Sequence, residues 1–81
     1  MKDIFESRVY IYKVEWLKNS INGNAQYQIF FREKYGSMVN KGKTKMNSSN
    51  AGLFRNFEGD FATIKYIYDK NYNIVLLDIE A

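Results

Sequence analysis

The side chains best spaced for chemistry are cations. Arg32, Lys34, Lys41, Lys43 and Lys45 fall within fourteen positions and are opposed there by Glu33 alone. The run Lys41-Gly42-Lys43-Thr44-Lys45 can lie along a phosphate backbone, because each lysine that neutralises a phosphate releases a condensed counterion. Tyr35 interrupts the basic segment, and Tyr10, Tyr27 and Phe30 precede it. Aromatic rings beside lysines can stack on unpaired bases. The competing reading is a solvated sheet edge, which lysines commonly guard against pairing with another chain. The candidate binding residues are therefore Arg32, Lys34, Tyr35, Lys41, Lys43 and Lys45.

Acid–base chemistry has little to draw on. The chain contains no His and no Cys, which removes the usual general base near neutral pH, the commonest metal ligand and every thiolate nucleophile. Two carboxylate pairs remain, Glu58 with Asp60 and Asp78 with Glu80. Neither has a substrate-orienting partner or a glycine-rich phosphate loop beside it. The expectation is a non-catalytic protein with no metal and no cofactor.

Positioning elements follow from hydropathy. From Arg8 the pattern has period two, with Tyr10, Tyr12, Val14 and Trp16 on one face and Val9, Ile11, Lys13, Glu15 and Leu17 on the other, which predicts a strand. The Tyr10, Tyr12 and Trp16 face is expected to receive a helix. Asn22-Gly23 suits a type I′ turn and predicts a hairpin to a second strand over about residues 25–34, where Tyr27, Ile29 and Phe31 alternate with Gln26, Gln28 and Arg32. A third strand over residues 38–46 is an open alternative to a loop, because Lys41, Lys43 and Lys45 interrupt its pattern. Residues 74–79 form an apolar run suited to an interior strand.

Residues 50–70 admit two readings. At 100° per residue, Leu53, Phe54, Phe57, Phe61, Ile64, Ile67 and Tyr68 fall within an arc of roughly 140°, which favours one amphipathic helix capped by Ser48 or Ser49. The rival reading breaks at Gly59 and makes residues 61–68 a strand. The helix sorts more of the residues and is preferred, with Phe57 and Phe61 as core positions. The expected fold is α+β: a small, mainly antiparallel sheet of three or four strands in the order β-β-(β)-α-β, with one helix packed on one face.

The 81 residues, 46% of them apolar, suffice for one domain with one core spanning residues 1–81. No apolar run is long enough for a membrane span or a secretory signal, so the expected location is cytoplasmic. Charge is segregated: the basic segment gives way to Glu58, Asp60, Asp69, Asp78 and Glu80, set against Lys65 and Lys70. Two functions fit. One is a stoichiometric inhibitor or adaptor, of the kind a phage or mobile element encodes, that binds a host protein or nucleoprotein through a charged, Tyr-rich surface. The alternative is a small regulator that binds DNA or RNA through residues 32–45. The protein-binding reading is preferred at this point, because the acidic C-terminal third would repel an extended duplex.

Overall fold

The computed structural model describes residues 3–19, 25–46 and 48–81. Five strands, β1 (Phe5–Asn19), β2 (Ala25–Glu33), β3 (Asn40–Thr44), β4 (Phe61–Tyr68) and β5 (Ile74–Glu80), close into a barrel in the order β1-β2-β3-β5-β4. A short 3-10 helix, Ala51–Phe57, lies between β3 and β4. The predicted open sheet with a long helix across one face is thus overturned. The order places β3 beside β5 and β4 beside β1, a five-stranded Greek-key closure.

Closure depends on β1 serving two neighbours. Its residues 5–10 pair with β4 and its residues 9–19 pair with β2, both antiparallel. A strand shared in this way must bend. The bend is a bulge at Tyr12, where the register with β2 steps from Ile11↔Phe31 to Lys13↔Phe30. The turn before β4 fixes it: the Ile11 N–H donates to the Asp60 carbonyl (2.9 Å), and the Gly59 N–H donates to the Ile11 carbonyl (2.8 Å). Glu58 Oε2 accepts the Val14 N–H at 2.7 Å. An extra residue in one strand shifts every later side chain to the opposite face. Val9 and Ile11 point inward before the bulge and Val14 packs against the core after it, so the single alternation predicted through Trp16 does not persist. The predicted Asn22-Gly23 turn lies outside the described residues, although β1 and β2 do pair antiparallel on either side of it.

The helical pattern over residues 50–70 is divided at Gly59, whose φ of +86° is the left-handed conformation that glycine tolerates best. The helix ends at Phe57. Beyond Gly59 the β-branched and aromatic content of residues 61–68 favours a strand, with Ala62 and Ile64 buried and Lys65 exposed. Asn50, not Ser48 or Ser49, occupies the helix cap position, and its Nδ2 donates to the Leu77 carbonyl at 3.1 Å. Ala51 and Phe54 carry the helix into the core, where they join Val9, Ile11, Ile29, Phe31, Ile64 and Leu76. The third strand, left open by the sequence, does form. It is antiparallel to β2 and parallel to β5, with Gly42 and Thr44 inward and Lys41 and Lys43 outward.

Candidate nucleic-acid interface

The outer face of β1, β2 and β3 gathers rings and cations in register. Tyr10 is paired with Arg32 on one side and Phe61 on the other; Phe30 lies between Lys13 and Lys41; Gln28 lies between Glu15 and Lys43. Tyr12, at the bulge, stands edge-on to Tyr10 with ring centroids 5.1 Å apart and is 44% exposed. Phe30 and Tyr10 are half-buried, while Lys13, Lys41 and Lys43 are exposed. Glu15 is the acid on this face, held by Lys13 Nζ at 3.3 Å.

The predicted site residues divide into three groups. Lys41 and Lys43 stand on the face. Arg32 shares it, but its guanidinium is already engaged: Nη1 donates to the carbonyls of Glu33 (3.1 Å), Lys34 (3.0 Å) and Gly36 (3.4 Å). The same guanidinium lies 5.3 Å from the Tyr10 ring centroid and 5.6 Å from that of Phe61. It therefore works as a clamp that fixes the turn after β2 and holds two rings in place, rather than as an open phosphate contact. Lys34 and Tyr35 sit together in that turn, with Lys34 Nζ 5.2 Å from the Tyr35 ring centroid and Tyr35 92% exposed. Lys45 follows β3, and its N–H donates to the Leu76 carbonyl. Its side chain borders a separate recess beside Ser48, Asn50 and Leu77.

Sequence reasoning left Lys13, Tyr12 and Gln28 out of the site. No sequence signal marks the bulge that brings Lys13 beside Phe30. Phe30, apolar on the polar side of β2, was the available clue. Tyr27, also considered for stacking, belongs to the core.

Beside the lysines the outer face deepens into a groove of about 600 Å³, bordered by Leu17, Gln26, Gln28, Lys43, Asn73 and Val75. It crosses the strands from the end of β1 to the start of β5. The loop at its far side is self-supported: Asp69 Oδ1 accepts the N–H groups of Asn71 (2.8 Å) and Asn73 (2.9 Å).

Other ionisable groups serve the scaffold. Asp78 accepts from Asn50 Nδ2 and from the Ile79 N–H, and Ser7 donates to Glu33. Burial, followed by the charge and hydroxyl of Tyr68 and then Glu33, raises the Tyr66 phenol above its ordinary value. That ring belongs to a cluster in which Phe5 stacks on Tyr66 at 5.6 Å. Among the described residues, no group of three or more Asp or Glu side chains converges on a metal-sized site, and no helix is long and apolar enough to cross a membrane.

Comparison with protein-family models, with curated proteins and with solved structures yields no match.

Proposed function

We propose that this protein binds single-stranded nucleic acid across the outer face of β1, β2 and β3. The observation that carries the reading is the gathering of rings and cations on that face: Phe30 lies in register between Lys13 and Lys41, Lys43 is paired with the neighbouring Gln28, and the rings of Tyr10 and Tyr12 meet at the bulge. Lysines there would neutralise phosphates, and the rings would stack on bases, each worth about 1–3 kcal/mol. Stacking requires bases that are not already stacked in a duplex, which selects single strands. The connectivity supports this by analogy alone, because five-stranded Greek-key barrels of the oligonucleotide- and oligosaccharide-binding kind bind oligonucleotides on the face of their second and third strands. The acidic C-terminal third is less of an obstacle than its charge suggests, since Glu58, Asp69 and Asp78 are spent on hydrogen bonds within the chain.

The test is fluorescence anisotropy with labelled single-stranded DNA, single-stranded RNA and duplex at about 50 mM salt. Single strands should bind and the duplex should not compete. Tyr12→Ala should weaken binding about fivefold or more at unchanged melting temperature, in line with the loss of one stacked base, and Lys41→Glu combined with Lys43→Glu should abolish it. No binding of any oligonucleotide at low salt would overturn the proposal.

A second reading, stoichiometric capture of a host protein or nucleoprotein, is favoured by a different observation. The connection between β2 and β3 exposes Tyr35, Met38 and Val39, residue types enriched or tolerated at protein interfaces. A pull-down from nuclease-treated lysate that recovers a partner in wild type but not with Tyr35→Ala and Met38→Ala would support it.

A further inference from the structure

The groove beside the lysines holds a feature that binding of the phosphate backbone alone would not need. Gln26 is 9% exposed. Its Nε2 donates to the Thr44 carbonyl at 3.1 Å, and because a carbonyl can only accept, this bond fixes which end of the amide faces Thr44. Oε1 is thereby turned the other way, and no described residue donates to it. The Thr44 hydroxyl is turned to the next residue of β2, its Oγ1 accepting the Tyr27 N–H at 3.0 Å, and among the described residues no hydrogen bond joins it to Gln26 Oε1. A buried acceptor without a donor costs about 1–3 kcal/mol, and Gln26 borders the groove. An occupant of the groove that carries an N–H can supply that donor.

We infer that the groove is a base pocket in which Gln26 Oε1 accepts an N–H from the Watson–Crick edge of one unpaired nucleotide. This rests on the single-strand reading of the adjoining face and extends it. Phe30 and Tyr12 supply sequence-tolerant stacking, Lys41 and Lys43 hold the backbone at the groove's rim, and the pocket reads the edge of one base. Every base offers a donor on that edge, and pairing consumes it. Gln26 therefore selects unpaired nucleotides rather than one base over another, and discriminates against bases whose edge donor is blocked.

The experiment compares oligo(dT) with the same oligomer built from N3-methylthymidine, which keeps the backbone and the stacking face but lacks the ring N–H. Wild-type protein should bind the methylated oligomer about fivefold or more weakly, as expected when a buried acceptor goes unpaired. Gln26→Leu, of similar size but with no acceptor, should bind both oligomers alike, near the weaker level. Equal binding of the two oligomers by wild type would overturn the pocket while leaving the stacking face intact. A methylation penalty that persists in Gln26→Leu would also overturn it, because the donor would then be read elsewhere. Failure of wild type to bind either oligomer at low salt would overturn the face and the pocket together. Should Gln26→Leu fail to fold, the wild-type comparison alone decides.

Discussion

Gly42 explains how Lys41 and Lys43 can sit so close to β5. A Cβ built at this position would lie 2.8 Å from Ile74 Cγ2 and 3.1 Å from the Ile74 carbonyl oxygen, and the residue faces inward between Lys41 and Lys43. The parallel pairing Gly42↔Ile74 therefore depends on having no side chain there. Gly42→Ala should destabilise the fold by about 1–3 kcal/mol, the usual range for overpacking, and each kcal/mol should lower the melting temperature by about 4–8 °C in a chain of this size. A thermal melt checks this, and an unchanged midpoint would mean that Ile74 moves aside freely. At this scale the sequence was informative about identity and silent about direction. Lys41 and Lys43 were recognisable as candidate binding cations, and the structure places both side chains outward on β3. That Arg32 spends its donors on the carbonyls of Glu33, Lys34 and Gly36 depends on a turn whose shape no local pattern announces.

Among the elements, residues 50–70 were misread for a definable reason. Phe61 and Ile67 face outward on β4 yet are apolar, so the strand's polar side looked apolar and the helical arc appeared to sort the residues better. Their outward neighbours account for them: Phe61 is covered by Tyr10 and Arg32, and Ile67 is paired with Val75. The consequence is a different core. Phe57 is half-buried and Phe61 is 40% exposed, whereas Phe54 is 1% exposed. Phe54→Ala should cost about 3–5 kcal/mol, a large share of the roughly 4–12 kcal/mol available to a domain of this size. Phe61→Ala should cost clearly less. Urea denaturation of the two variants checks the ranking, and a Phe61→Ala loss equal to that of Phe54→Ala would contradict the burial pattern. The β1–β2 pairing and the C-terminal strand were legible because their local pattern and their tertiary role agree. The bulge at Tyr12 was not, because it is imposed from a distance by Gly59 and Asp60.

At the level of the whole molecule, closure was beyond the reach of local pattern. It is made by the pairing of β1 with β4 and the parallel pairing of β3 with β5, both between segments far apart in sequence. The β1–β2 and β2–β3 pairings in turn convert a segregated linear charge into a surface. Lys13 from β1 joins Lys41 and Lys43 from β3 across Phe30, although some thirty residues separate them in the chain. The number of phosphates held follows from that geometry. If these three lysines each neutralise one phosphate of a single strand, log K should fall against log salt with a slope of about −2, so that affinity drops about 20-fold between 50 and 200 mM salt. Lys13→Gln, Lys41→Gln and Lys43→Gln should each flatten the slope by about 0.7, and should do so for every oligonucleotide sequence alike, because phosphate contacts carry no base information. Anisotropy titrations across that salt range measure it. A slope near zero would place the affinity outside the lysines. A markedly steeper slope would bring Lys34 and Lys45 back into the interface, and so extend the bound strand beyond the β2–β3 face to the turn after β2 and the segment after β3.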